Sequence, residues 1–441
     1  MRKKATGAGI MAACALLVIG LAFGPTASAT VPGVNALVSV DSSGAQANAG
    51  SQYSAVSGDG RYVAFSSSAN NLVSGDTNGT PDIFVRDTVS STTARVSVSS
   101  AGAQANGGSG QPRISYDGRY VVFESAATNL VGSDANGKDD VFVHDRQMGT
   151  TTIASINSSS SQGDQISYFP DISADGRFVV FESPSTNLVS GVSGYGIGDQ
   201  VYIKDMSTGA LKALSVTSAG AGGNGNSSGA HISCDGNVVA FRSAASNLVS
   251  GDTNGNADVF VDVLGWSGSV LTNATLGGNA ASGPDSISCN GNYVSINTGA
   301  TNLASGVSTG TIQAYNRLTG SYTVASMDGS GNVATGGVEK SSISDDGRYV
   351  SFLASSSLVS ADGNSSRDVY VRDLRSGTTQ VVSINPSMGG AAVGFIDFPS
   401  ISADGSYITY YALADSNATY GAPVSNDNNG YADIYISQTG F

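Results

Sequence analysis

The chain is poor in charge, and the charge it carries is one-sided. Asp, Glu, Lys and Arg make up 12% of its 441 residues, about half the share of an ordinary globular domain. Glutamate is almost missing: Glu124, Glu182 and Glu339 are the only three among 34 acidic residues. Aspartate favours turns where glutamate favours helices, so the negative charge belongs in loops, and helical bundles and coiled coils are excluded. Histidine occurs twice and tryptophan once. No G-x-S-x-G elbow, H-E-x-x-H pair or phosphate loop is present, and serine is too abundant for any one to stand out as a nucleophile. A net charge of −14 argues against electrostatic binding of nucleic acid or anionic membrane.

Glycine, by contrast, occurs 58 times, nearly twice the usual share, as suits short strands joined by tight turns. The chain is longer than the roughly 250–300 residues that one continuous core supports, so several domains or an array of small units is expected. Arg2, Lys3 and Lys4 precede an apolar run ending near Phe23, and Ala27-Ser28-Ala29 follows as an A-x-A site. Residues 1–29 therefore read as a secretory signal peptide, and the run is too short for a membrane span. The expectation is a secreted monomer without membrane insertion, folded over 30–441.

That remainder is built from repeats. The segment Gly58-Asp59-Gly60-Arg61-Tyr62-Val63-Ala64-Phe65 recurs with its turn residue at Asp59, Asp117, Asp175, Asp235, Asn290, Asp346 and Asp404, spaced 58, 58, 60, 55, 56 and 58 residues apart. Asp-Gly or Asn-Gly between strand-like residues is a strong hairpin signal. Each unit carries four short strands. In the first, strand A ends near Val56, B covers 62–65, C covers 83–86 and D covers 94–98. Seven such units predict an all-β, seven-bladed β-propeller with four antiparallel strands per blade, the blades burying their faces on one another. The seventh unit stops after Ile434-Tyr435-Ile436 without a strand D. Ala36-Leu37-Val38-Ser39-Val40 matches strand D and precedes the first strand A, so the N-terminal strand is expected to complete the last blade.

The recurring Ser-x-Asp-Gly-Arg-Tyr-Val-x-Phe and Asp-Ile-Phe-Val-Arg-Asp segments resemble the WD40-like (PD40) repeats of TolB-type β-propellers. Asn71-Leu72-Val73-Ser74-Gly75-Asp76-Thr77-Asn78-Gly79 is similar to the longer repeats of secreted bacterial members. The resemblance spans about 34–436. It implies the propeller fold, and propellers of this kind range from binding scaffolds to enzyme accessory domains. The N-terminal α/β domain of TolB itself has no counterpart, so a periplasmic Tol–Pal role is not implied.

The loop between strands B and C reads Asp76-x-Asn78-Gly79-x-x-Asp82 in blade one. Its equivalents are Asp134, Asn136 and Asp140 in blade two, Asp252, Asn254 and Asp258 in blade four, Asp362, Asn364 and Asp368 in blade six, and Asp427, Asn429 and Asp433 in blade seven. Three oxygen-bearing side chains on a glycine-permitted turn suit Ca²⁺. The spacing is similar to the latter part of the calcium loops of integrin-type propellers, with Ser74 or Gly132 where those carry a further acid. The same residue types make Asx turns that cap strand C, and both readings stand. Blade three keeps Asp199 alone, and blade five keeps neither Asp nor Asn.

Strand alternation puts the B–C loops and D–A linkers on one face of the ring. Tyr53, Tyr168, Tyr195, Phe395 and Tyr420 form a candidate ligand face there for a sugar or a protein. Phe169 and Phe398, each directly before a proline in strand A, are expected to pack between blades. His144 takes a strand C slot held elsewhere by Arg86, Lys204 and Arg372 and reads as a surface substitution. His231 takes the strand A slot of Arg113 and Asp171 and points to the channel. Cys234 and Cys289 share one repeat position in adjacent blades, as a disulfide or as two buried thiols. The reading is a secreted, non-catalytic binding propeller for a protein or glycan, with Ca²⁺ the candidate cofactor. The alternative is a carbohydrate-active enzyme, a polysaccharide lyase or hydrolase, with its site on the propeller face.

Overall fold

The computed structural model describes residues 35–132, 134–192, 198–264, 270–363, 366–385, 390–391, 396–413, 424, 427 and 429–441. Among them there is no helix, and seven four-stranded antiparallel sheets follow one another along the chain. In blade one the strands are A (Ser51–Val56), B (Tyr62–Ser67), C (Asp82–Asp87) and D (Thr92–Arg95). Strand C is buried along its whole length and B nearly so, as near-continuous apolar strands covered on both faces must be. Strand D starts two residues earlier than its sequence pattern suggests. The Asp87 carboxylate accepts the N–H groups of Val89 and Ser90 at 3.0 and 3.1 Å, and this tight C–D turn brings Thr92 straight into register with Asp87.

Seven apolar clusters form the core, and each spans two neighbouring blades. Ala64, Ile83 and Val85 of blade one pack on Val121 and Phe123 of blade two, and Ile434 and Ile436 of blade seven pack on Val63 and Phe65 of blade one. Stacked rings on strands B and C fill these layers, as in Phe65–Phe84 at 5.8 Å and Tyr410–Tyr435 at 5.7 Å between centroids. The ring is closed by Asn35–Leu37, which pairs antiparallel with Ala432–Gln438 as the outermost strand of blade seven. Ser39 then donates to Asp433 at 2.5 Å.

Each A–B hairpin is tied by its own serine. Ser57 donates to Asp59 at 2.7 Å while accepting the Tyr62 N–H at 2.9 Å, and Ser115, Ser173, Ser233, Ser288, Ser344 and Ser402 repeat the bond to their own turn residue. The glycine that follows is required twice over. Gly118 has φ +73°, and a Cβ there would lie 2.2 Å from the Tyr62 ring of the preceding blade, so side-chain bulk is excluded by backbone and neighbour alike.

Candidate functional site

The innermost strands, A, surround a central cavity of about 450 Å³. Six of the seven carry a residue at positive φ on the sixth position before the hairpin turn: Tyr53, Gln111, Phe169, Gly229, Lys340 and Phe398, with φ between 44° and 64°. Pro284 holds that position in blade five, and its ring fixes φ negative. All seven inner strands shift register at a bulge, which re-aims side chains toward the axis.

The cavity narrows to a floor at the hairpin end. There the residue before the hairpin Asp or Asn reaches across to the next blade at five of the seven positions. Ala174 N–H donates to the Cys234 carbonyl and Cys234 N–H to that of Cys289, at 2.9 and 3.0 Å. Asp345 donates to Ala403, Ala403 to Gly58 and Gly58 to Tyr116, at 2.9, 3.1 and 2.9 Å. A disulfide joins Cys234 to Cys289, whose Cα atoms lie 4.5 Å apart. The disulfide and Asp345 line the bottom of a funnel whose mouth lies on the B–C loop face.

Above the floor the wall is chemically divided. Arg113, Asp171 and His231 follow one another at one level on blades two to four, Asp285 stands one residue higher on blade five and Lys340 one higher again on blade six. His231 Nδ1 lies 3.3 Å from Asp171, which also accepts the Ile232 N–H at 3.2 Å. Asp285 accepts from Ser341 at 2.8 Å. Burial pushes its carboxyl up to about 6, against the pull of the Ser341 bond and of the Lys340 and His231 charges. The opposite wall and rim are aromatic. Tyr53 and Phe398 meet edge to face at 4.9 Å, and Lys340 Nζ sits 5.0 Å over the Phe398 ring. Phe169 stands at the rim, 46% exposed.

All three glutamates of the chain serve this rim. Glu124 accepts the Phe169 N–H at 3.1 Å, Glu182 accepts the Gly229 N–H at 2.5 Å, and Glu339 pairs with Arg367 at 3.2 Å. The first two reach from strand B of one blade to the bulge of the next. Burial pushes Glu182 up to about 8, with the nearby Asp199 charge adding to it and the backbone bonds opposing.

The aspartate-rich B–C loops do bring their residues together. In blade one Asn78 donates to Asp82 at 3.2 Å, and its own oxygen accepts the Thr80 N–H at 3.1 Å, an Asx turn. The Gln104 amide lies between Asp76 and Asp82, 2.8 Å from each, and Arg95 lies 3.5 and 3.6 Å from the same two carboxylates. Gln162 stands likewise between Asp134 and Asp140 in blade two. In blade four the Asn254 and Asn273 amides donate to Asp258, and burial raises Asp252. In blades six and seven the hydroxyls of Tyr370 and Tyr435 bond Asp362 and Asp427. Asn429 donates to Asp433 at 2.7 Å, while Asn364 lies outside the described residues. Each strand C carboxylate also receives a hydroxyl from the end of a strand D, as Ser97 to Asp82 at 2.6 Å, Ser155 to Asp140 at 2.5 Å and Ser383 to Asp368 at 2.6 Å. In blades one and two the gap between the two carboxylates is thus bridged by a glutamine amide.

Several residues take places the sequence did not assign them. In blade three Gln200, not Asp199, fills the latch position, receiving the Ser215 hydroxyl at 2.8 Å. His144 is buried, bonding Thr151 at 2.9 Å where Arg86 bonds Thr93 in blade one. Phe169 stands exposed at the funnel mouth, because positive φ turns it off the blade face, while Phe398 at the same slot packs between blades on Tyr53 as expected and also lines the mouth. Tyr53 lines the mouth, Tyr168 packs on Phe169 at 5.0 Å, and Tyr195, Phe395 and Tyr420 lie outside the described residues. The polar arc was legible only as three unlike residues, Arg113, Asp171 and His231, sharing one repeat slot.

Solved structures share this architecture. An oligogalacturonate lyase in complex with manganese aligns with a TM-score of 0.55 at 11% identity, over 89% of this chain and 90% of its own. The chain is a seven-bladed β-propeller. A prolyl endopeptidase aligns with a TM-score of 0.51 at 12% identity, over 90% of this chain and 50% of its own. TolB from Acinetobacter baumannii aligns with a TM-score of 0.38 at 13% identity, over 81% of this chain and 76% of its own. No family model and no curated protein matches the chain. The likeness is one of fold.

Proposed function

We propose that this propeller is a secreted, non-catalytic binding module that takes a glycan or protein ligand at the mouth of its central funnel. The observation that carries the reading is the choice of residue at the strained position. Positive φ costs an ordinary side chain about 1–2 kcal/mol relative to glycine, and blade four shows that glycine serves the bulge. Tyr53, Phe169, Phe398, Gln111 and Lys340 occupy it elsewhere. Strain kept at a cavity mouth, where the side chains face solvent, points to a ligand. A disulfide between blades four and five supports an oxidising, extracellular setting.

One arrangement favours the enzymatic alternative. His231, oriented by Asp171 beside Arg113, has the parts of a general base with its orienter, as a polysaccharide lyase would need. A panel of soluble and insoluble polysaccharides separates the readings. The binding module retains its ligand without releasing unsaturated products or new reducing ends, in the wild type and in His231→Ala alike. Product release that disappears in His231→Ala would make the protein an enzyme.

A further inference from the structure

We propose that the funnel captures the terminal sugar residues of a neutral glycan end-on, rather than gripping a chain along its length or threading it through the ring. This rests on the funnel being the binding site and goes on to say what enters it and how. The wider way in is the mouth, because five inter-blade backbone bonds and the Cys234–Cys289 bridge narrow the hairpin end. A cavity of about 450 Å³ holds two or three sugar rings and leaves the rest of a polymer outside.

The lining matches a pyranose in two ways. Around the arc of blades two to six the groups run Arg113, Asp171, His231, Asp285 and Lys340, so donors and acceptors alternate from blade to blade. Vicinal hydroxyls, each a donor and an acceptor at once, satisfy such a series. A ligand of one fixed charge would meet repulsion from every second group. Facing the arc is the Tyr53 ring, edge to face with Phe398 and with Ala55 beneath, an apolar wall for the C–H face of the sugar. One group of the arc awaits a partner among the described residues: the Arg113 guanidinium is seen to bond only the carbonyl of its neighbour Pro112, at 3.1 Å.

Calorimetry of the full chain with maltohexaose, cellohexaose, mannohexaose and N-acetylchitohexaose, each beside its trimer and its end-blocked forms, tests the proposal. At least one series is expected to bind, with trimer and hexamer within about threefold of each other and a loss of about tenfold or more when one particular end is blocked. Asp285→Asn, which keeps its side-chain size, and Arg113→Gln, which shortens the chain and removes its charge, should each weaken that binding about tenfold without moving the melting temperature. Several outcomes overturn the proposal: no binding in any series up to about 10 mM, a hexamer far tighter than its trimer, or indifference to both ends. If no glycan binds but a protein ligand is held and lost on mutating the mouth, the binding reading stands and this inference fails. If a glycan binds and no funnel variant affects it, both fail.

Discussion

Phe169 holds φ +47° with nearly half its surface exposed, a combination that stability alone does not select. Replacing it by glycine relieves backbone strain of about 1–2 kcal/mol, offset in part by the lost contact with Tyr168. Phe169→Gly is therefore expected to melt at the wild-type temperature or a few degrees above it while weakening ligand retention. Thermal denaturation beside a retention assay checks both halves, and a clear loss of stability would return Phe169 to packing. At this scale the sequence was informative where a repeat slot is constant and silent where it varies. The Ser-x-Asp-Gly hairpin was readable because the same bonds recur in every blade. Phe169 was misplaced, because a period-two strand pattern carries no sign of a bulge with positive φ. His144 was misplaced because the partner that buries it, Thr151, lies on strand D, out of sight of a local pattern.

Among the elements, the strand Asn35–Leu37 has a role out of proportion to its length. It is the outermost strand of the last blade, and its loss would leave Ala432–Gln438 with an unpaired edge. Deleting residues 35–40 also removes Val38 from the core and the Ser39 bond to Asp433. A loss of several kcal/mol is expected, about 2–4 from a buried large apolar side chain alone. Urea denaturation measures it, and an unchanged midpoint would refute the closure. This closure was readable in the sequence because residues 38–48 repeat 96–106 closely. The B–C loops were read less completely. Their acids and amides stood out, but the Arg95 and Gln104 donors that reach them come from strand D and the linker after it. With those donors in place, excess EGTA should leave the thermal transition where it is, and millimolar Ca²⁺ should not raise it relative to Mg²⁺. A calcium-specific rise of several degrees would show that Gln104 and Gln162 yield their places to a metal, since a ligand at about 100 times its Kd adds roughly 2.7 kcal/mol per site.

The whole molecule concentrates buried carboxyls in its ring, and this sets the sign of its pH dependence. Burial raises Glu182 to about 8, Asp433 to about 7 and Asp140 to about 6. A carboxyl with a raised folded pKa keeps its proton where the unfolded chain has lost it, so folding binds protons and stability falls as pH rises. For Glu182 the fall runs from its ordinary 4.5 to about 8. The arginine-bonded Asp373 and Asp145 are shifted the other way; their stabilisation is present above the ordinary aspartate value and is lost as pH drops below it. Stability should therefore peak near pH 5 and decline toward pH 8, by up to about 1.4 kcal/mol per pH unit for each proton bound. Glu182→Gln, which keeps an acceptor for the Gly229 N–H, should flatten that decline. Stability rising from pH 5 to pH 8 would contradict the assignment. The funnel itself was the least legible feature of the sequence. Repeat spacing fixes how many blades there are, but the charges of the channel arise from one slot occupied differently in each blade.

The most direct test of the account compares ligand retention by two sets of variants. Tyr53→Gly, Phe169→Gly and Phe398→Gly together strip the funnel mouth. Val89→Ser and Met148→Ser alter exposed residues in the C–D turns of the opposite face, 53% and 67% accessible. The first set is expected to lose about tenfold or more in affinity for whatever polysaccharide or protein the wild type holds, and the second to lose nothing. Retention untouched by stripping the mouth, or lost through the C–D turns, would place the binding surface elsewhere and contradict it.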